Sequence, residues 1–381
     1  MMQWSTIYGQ DKAKQGLLNY HQSEHLPHAI LILGKEGSGG LALALAFARY
    51  LLCEQKHADG TICGICAACL KTKNLVHPDL HLTFPSVPMK PGEKAMSKNN
   101  LADFRKFVQE HPYGSVFDWL QFVGATSNQK GNISAEECRQ MIETLGLKAS
   151  EGAYKIQIIW RPEYLGKEGN ILLKLIEEPP DNTVFLLVAE STDAVLDTIL
   201  SRTQQIRLQP LSIEAVQSIL TINYKVSDRE AAQVAQIAEG NVSHALTALH
   251  QNESDLLETL KQWFNGVFTY NGLLIGKWVE QMDKTSKVQQ KNFLMFAQQL
   301  LSQAMRIQFI PNYQAPLPQD ELQFVQRLST RNFSAETVRR MDEEMSKAIY
   351  HLERNANAKI VLLHLSVALQ YILKGTELKA L

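Results

Sequence analysis

The sequence predicts a parallel α/β sheet domain followed by all-helical domains. Three observations carry this. Continuous apolar runs at 28–33, 154–159 and 183–189 read as strands buried on both faces, the pattern of a parallel sheet. Helical patterns alternate with them. From Leu211 onward the periodicities are helical only.

The 381 residues imply two or three domains. A composition of 45% hydrophobic and 20% charged residues excludes a disordered or collagen-like chain. With 38 Lys+Arg against 39 Asp+Glu, a protein that coats nucleic acid by bulk charge is also excluded, although a local DNA-facing patch is not. The most apolar stretch, 41–52, includes Arg49 and is too short to span a bilayer, which takes about 20 residues. Met1-Met2-Gln3-Trp4-Ser5 has neither a basic nor an apolar signal region, so a cytoplasmic location is expected.

In chain order, residues 11–20 read as a polar helix and 28–33 as the first strand. The loop Gly34-Lys35-Glu36-Gly37-Ser38-Gly39-Gly40 leads into the Ala/Leu-rich helix 41–52. Strand, glycine loop and helix in that order are where a phosphate-binding loop sits. A working loop reads G-x-x-x-x-G-K-[ST], its lysine reaching the phosphates and its hydroxyl holding Mg²⁺. Gly34 and Gly39 fill the two glycine positions, but Gly40 stands in the lysine slot and Leu41 in the hydroxyl slot. Lys35 comes five residues too early. The shape of the loop is present without its charge or its metal ligand. The acids expected after a later strand are missing too: 155–159 runs into Trp160-Arg161-Pro162, and Glu163 is four residues away.

Cys53, Cys63, Cys66 and Cys69 form C-x9-C-x2-C-x2-C. Thiolates in that pattern can close a tetrahedral structural site for Zn²⁺, less readily for iron, with no position open for catalysis. Reduced, unliganded thiols are the alternative. His57, His77 and His81 lie near and read as surface histidines. Cys138 reads as a packed core thiol.

Residues 85–132 read as an insertion. Pro85, Pro88, Pro91 and Gly92 break the chain, a polar run 94–100 follows, and Phe104, Phe107, Phe117, Trp119 and Phe122 come after it. Ser134-Ala135-Glu136-Glu137 carries a capping-box signature, with Cys138, Met141, Ile142 and Leu145 on one helical face. A helical stretch at 169–178 ends at Pro179-Pro180. Ser201-Arg202 follows an apolar helical turn, where an arginine can reach the γ-phosphate of a neighbouring subunit or serve a structural ion pair. Farther on, Phe293, Phe296, Ala297, Leu300 and Ala304 share a helical face.

Together these segments resemble the clamp-loader branch of the AAA+ ATPases, which serves bacterial DNA polymerase III. Ile7-Tyr8-Gly9-Gln10 is similar to the family's N-terminal box, and the four cysteines stand where the family's zinc module follows the loop helix. The run 170–180, Asn-Ile-Leu-Leu-Lys-Leu-Ile-Glu-Glu-Pro-Pro, is similar to the signature N-A-L-L-K-x-L-E-E-P-P, and Ser201-Arg202-Thr203 to a Ser-Arg-Cys motif. The resemblance implies an AAA+ domain at 1–208 with an inserted zinc module (about 53–69), a helical lid at 209–251 and a helical collar at 252–381.

The departures imply a member without ATPase activity. Besides the missing lysine, hydroxyl and strand-end acids, the sensor region reads Val188-Ala189-Glu190, and Ser243 replaces the lid arginine in the box 240–246. The resemblance thus implies a rigid stator. Arg202 would complete the ATP site of a neighbouring motor subunit, Cys53, Cys63, Cys66 and Cys69 would hold Zn²⁺, and no functional ATP site would remain at Gly34, Gly39, Gly40 and Leu41. Implied partners are the motor ATPase subunits and the delta subunit, with the sliding clamp and primed DNA engaged indirectly and no membrane. An active NTPase served by Lys35 and Glu163 is the alternative. A zinc-dependent nucleic-acid-binding module would explain the cysteines but not the 170–180 run.

Overall fold

A computed structural model describes residues 4–23, 25–88, 92–125, 129, 131–249, 253–285, 287–354 and 356–375. Met1-Met2-Gln3, residues 89–91, 126–128 and 130 of the expected insertion, and the 250–252 junction lie outside them. The chain divides into two compact units, residues 1–245 and 246–381.

The first unit opens with α1 (Asp11–Gln22), β1 (Ala29–Leu33) and α2 (Gly40–Leu52). Next come α3 (Ala67–Lys73), β2 (Leu80–Thr83), α4 (Ser97–Glu110), α5 (Val116–Phe122) and α6 (Ala135–Gly146). β3 (Lys155–Trp160) is followed by a 3₁₀ segment (Pro162–Leu172) and α7 (Leu173–Glu177). Then come β4 (Thr183–Ala189), α8 (Asp197–Leu200) and β5 (Gln204–Arg207). Two helices follow, α9 (Ile213–Tyr224) and α10 (Asp228–Ile237), and α11 (Val242–Leu249) runs across the boundary into the second unit.

The five strands form one parallel sheet in the order β2-β3-β4-β1-β5. The three strands read from the sequence are the central ones, and every residue of β1, β3 and β4 is buried. β2 and β5, which the apolar pattern does not reveal, are the edges. Each has four residues, and β5 exposes Gln204, Gln205 and Arg207. Short polar strands are what sheet edges tolerate, since an exposed apolar edge invites pairing with another chain.

Side chains alternate across the sheet with a period of two. Ile30, Ile32, Ile158, Leu186 and Val188 join the core around α2, whereas Leu31, Leu33, Phe185 and Leu187 join the one around α6 and α7. α2 is buried almost throughout, including Arg49 at 4% exposure, as expected of a helix sealed between the sheet and other elements.

The described part of the insertion packs into this core. Phe84 and Phe104 stack at 3.7 Å, and Phe104, Phe107 and Trp119 surround Trp160 or one another at the end of β3. The polar run 94–100 is not a free loop, because α4 begins inside it and Ser97 and Asn100 are buried. The capping box before α6 is only half formed. Ser134 Oγ accepts the Glu137 N–H at 3.3 Å, but the Glu137 carboxylate accepts the Ser97 N–H at 2.8 Å and so joins α6 to the insertion. Ile142, expected in the core, is 38% exposed. Lys155, buried at the start of β3, donates to the Leu145 and Leu147 carbonyls, where a cation suits the C-terminal end of α6.

The second unit is helical: α12 (Glu253–Phe268), α13 (Gly272–Asp283), α14 (Lys287–Phe309), α15 (Gln319–Ser329), α16 (Ala335–Glu353) and α17 (Ala358–Leu373). Its core centres on Trp263 stacked on Trp278 at 4.8 Å, with Phe293 beside both. Trp263 Nε1 donates to Ser366 Oγ at 2.8 Å. The face of Phe293, Phe296, Ala297, Leu300 and Ala304 is buried as expected. No helix among the described residues is long and apolar enough to cross a membrane.

Candidate functional site

The loop at the N-terminus of α2 joins buried strand β1 to the helix, the position in which a phosphate loop sits. Gly37 and Gly39 take positive φ (74° and 88°), a conformation only glycine adopts without strain, and Gly39 is the N-cap of α2. Ser38 is buried, and its hydroxyl donates to the Lys35 carbonyl at 2.6 Å. Leu41, in the position of the metal-holding hydroxyl, belongs to the core, and Lys35 is exposed at the start of the loop.

Two contacts hold the loop from outside. Gln10, 2% exposed, donates Nε2 to the Ser38 carbonyl (3.1 Å) and the Gln209 carbonyl (2.8 Å), and accepts the Gln209 N–H. Asn241 lies against Gly37, where a Cβ would fall 1.9 Å from Asn241 Oδ1. Sequence reading missed both anchors. Gln10 was legible only as the last letter of a motif, and Asn241 carried no signal beyond following a glycine.

Beyond β3 and β4, one cation sits between two carboxylates. Arg161 takes a positive φ of 64° and pairs with Glu190 and, at 3.6 Å, with Glu163. Glu163 Oε1 also accepts the Glu190 N–H at 2.8 Å. Glu163 is therefore committed to Arg161 and the β4 end. Arg161 was visible in the sequence as a charge directly after an apolar strand, but one of its two partners, Glu190, comes from the end of β4. A cavity of about 40 Å³ lies between the loop and these groups. Small-molecule sites occupy roughly 300–1,000 Å³.

At the other end of α2, Cys53 is the C-cap residue. Its Sγ lies 3.7 Å from Cys63 Sγ, which lies 3.9 Å from Cys69 Sγ. All four sulfurs are within 4.8 Å of one another. A disulfide needs about 2.05 Å, whereas four sulfurs about 2.3 Å from one zinc ion stand just under 4 Å apart, so the spacing fits a metal. The Cys66 N–H points to Cys63 Sγ and the Cys69 N–H to Cys66 Sγ, both at 3.4 Å. The Cys66 N–H, first among several backbone donors, brings the Cys63 thiol down to about 6, whereas burial pushes Cys53 and Cys69 up.

Two cations interact with the cluster: Arg49, one turn before Cys53, feels the Cys69 and Cys53 sulfurs, and Lys56 feels Cys53. Four thiolates around Zn²⁺ carry a net charge of −2, which two such cations offset. The donor set and its surroundings fit zinc, which Cys53, Cys63, Cys66 and Cys69 would hold as a closed structural centre. Among the described residues no histidine joins the group. His77, expected at the surface, is 3% exposed, and its Nδ1 accepts the Asp79 N–H at 3.1 Å. Cys138 is a core thiol as expected, pushed up to about 11 by burial.

Arg202 follows α8, partly exposed. Its Nη1 donates to the Thr198 carbonyl at 3.0 Å, and its Nη2 pairs with Glu177 at 3.3 Å. Glu177 belongs to the Glu-Glu-Pro-Pro run, so the two motifs singled out separately in the sequence meet through this ion pair.

Known proteins agree with this frame. The family described as DNA polymerase III, delta subunit, matches residues 9–212. The chain is 27% identical to the DNA polymerase III delta' subunit of Bacillus subtilis over 244 residues, 64% of this chain and 60% of that one. It is 28% identical to the delta' subunit of Yersinia pestis over 189 residues, 49% and 43% of the two chains. It is also 25% identical to the tau subunit of Escherichia coli over 254 residues, 65% of this chain and 32% of tau. Each match spans less than two thirds of the relative's length. The family match covers more than half of the 381 residues and includes the phosphate loop, the four cysteines and the run that ends at Arg202, so the chain belongs to the DNA polymerase III delta subunit family, as a delta'-like member.

Proposed function

We propose that the chain is a non-hydrolysing subunit of a bacterial clamp loader: a stator that binds no nucleotide productively and completes the ATP site of a neighbouring motor subunit with Arg202. The observation that carries this reading is the phosphate loop. It keeps its glycines between strand and helix, but a core leucine replaces its hydroxyl, a glycine its lysine, and Arg161 ties down Glu163 and Glu190 near the strand ends. Without a cation on the β/γ-phosphates or a ligand for Mg²⁺, nothing stabilises charge on a transferring phosphoryl group.

In this reading 1–208 is the AAA+ domain, 209–251 the lid and 252–381 the collar through which the loader assembles. α17 offers a surface for assembly: Ile360, Leu363 and Tyr371 are 68%, 46% and 41% exposed at positions that share one helical face. Motor subunits and the delta subunit are the direct partners, and the sliding clamp and primed DNA are reached through the assembled loader in the cytoplasm. DNA would be met at its phosphates, through helix N-termini. Zn²⁺ on the four cysteines would be structural. The alternative, an active NTPase, would need exposed Lys35 to reach the phosphates and Glu163 to leave Arg161 and the Glu190 N–H. The stator reading needs neither.

Calorimetric titration of the purified chain with ATP and ADP, with magnesium and up to millimolar nucleotide, tests the reading. No binding is expected, and micromolar affinity would sink it. In a reconstituted loader, Arg202→Ala should slow hydrolysis at one interface by up to about 10³–10⁵-fold, the worth of an arginine finger in trans. Wild-type clamp loading by a normally assembled Arg202→Ala loader would remove the finger from the account.

A further inference from the structure

The insertion delivers one side chain to the phosphate loop. Tyr113 lies between α4 and α5 and is 4% exposed. A Cβ on Gly39 would fall 2.7 Å from Tyr113 Cε1, so the ring lies directly on the N-cap of α2. Its hydroxyl is buried with no hydrogen-bond partner among the described residues, and Tyr113 shares a cavity lining with Ile7, in the N-terminal box, and Asn223, near the end of α9. One side chain thus packs on the loop and borders a cavity it shares with the N-terminal box and the helix after the sheet.

The turn that carries Tyr113 is fixed on both sides. The Gly114 N–H donates to the His111 carbonyl at 2.9 Å. α5 then starts with a complete capping box: Ser115 Oγ accepts the Asp118 N–H at 3.0 Å, and Asp118 accepts the Ser115 N–H at 2.8 Å. α4 and α5 are in turn anchored by Phe104, Phe107 and Trp119, each at most 1% exposed. Tyr113 is also a wall shared by two cavities. On the loop side about 40 Å³ remains. On the other side is about 220 Å³, whose lining includes Ile7, Ala42, Leu45 and Val108. Neither reaches the roughly 300 Å³ at which small-molecule sites begin.

We propose that Tyr113 is a built-in occupant of the nucleotide cleft, filling by packing the space that a bound nucleotide would have to take. The proposal rests on the reading of the loop as inactive and deepens it: the missing lysine and hydroxyl account for lost chemistry, and Tyr113 accounts for exclusion of the ligand. The insertion then has a role, which is to position that ring. It follows that restoring the loop's side chains is not enough to restore binding.

The test is a titration of the full chain with Mg²⁺ and a fluorescent ADP. Three proteins are compared: wild type, Gly40→Lys/Leu41→Thr, and the same pair with Tyr113→Ala. The first two should not bind below millimolar concentration, and the triple variant should bind at least ten times more tightly than the pair. If the pair binds as well as the triple variant, or the folded triple variant does not bind, Tyr113 is not the barrier. Micromolar binding by wild type fails the inactive-loop reading instead, a separate outcome. A second measurement leaves the loop untouched. Adenosine, which needs neither lysine nor metal, should raise the melting temperature of Tyr113→Ala by several degrees at millimolar concentration and leave wild type unchanged. Equal shifts in the two proteins overturn the proposal.

Discussion

Helix α2 carries a site at each end, and the two have met opposite fates. The helix has 13 residues, so the ends lie about 20 Å apart. At the N-terminus a glycine loop carries Gly40 and Leu41 where a working phosphate loop has its lysine and hydroxyl. At the C-terminus all four thiol donors are present, with backbone N–H groups and two cations arranged around them. The contrast lies in what each end contributes to folding. Four thiolates on one metal would close the loop between α2 and α3, so losing one donor would undo local structure. A phosphate loop without its ligand can be retained by packing, with Gln10, Asn241 and Tyr113 against it.

The largest expected effect is at the cysteine end. Cys69→Ser should abolish stoichiometric zinc by elemental analysis and lower the melting temperature sharply, since structural zinc brings an apparent binding free energy of about 10–16 kcal/mol in small domains. The comparison breaks if the wild-type protein carries no zinc and a chelator leaves its melting temperature unchanged.

Next comes the loop end. Gly39→Ala places a Cβ against Tyr113 and forces an alanine to φ 88°, so a loss of about 1–3 kcal/mol is expected in denaturant unfolding. Adding Tyr113→Ala to Gly39→Ala should cost less than the sum of the two single changes, because they share one contact. Strict additivity would show that the ring and the loop are not coupled.

A smaller effect is pH-dependent. Burial, the largest influence on each, holds His21, His77 and His81 below the ordinary histidine value. Below about pH 6.5 the unfolded chain binds protons that the folded one refuses, so stability is complete above that pH and declines as pH falls toward the lowered folded values. His77→Gln should flatten this slope in melts between pH 7 and 5. An unchanged slope would move the effect to other groups. Smallest is the stability effect of Arg202→Ala. Its partly exposed pair with Glu177 predicts a loss of about 0–1 kcal/mol, so any large functional loss would come from a contact beyond this chain.

Much of the fold could be read from the chain, for a reason visible in particular strands. β1, β3 and β4 are buried on both faces, and that burial demands continuous apolar runs. β2 and β5 lie at the edges, where nothing demands an apolar run, and they went unseen. The cysteine cluster was legible because its ligands are close in sequence and α2, a short loop and α3 suffice to bring them together. Glu137 was legible as a capping residue but serves Ser97, because a carboxylate takes whichever buried N–H the packing presents. His77 looked like a surface residue and is sealed in the core by the structure around Asp79.

The sequence by itself determined which chemistry was possible: four thiols in metal spacing, a glycine loop with Gly40 and Leu41 in the lysine and hydroxyl slots, and an arginine after α8. These are properties of residue type and of spacing over a few positions. Only the tertiary structure decided what each group meets. Arg161 meets Glu190, Arg202 meets Glu177, and Tyr113 meets Gly39, in each case from segments more than 20 residues apart. Such pairings arise from how the helices and the insertion pack against the sheet, and close packing of distant segments leaves no local periodicity from which to read them.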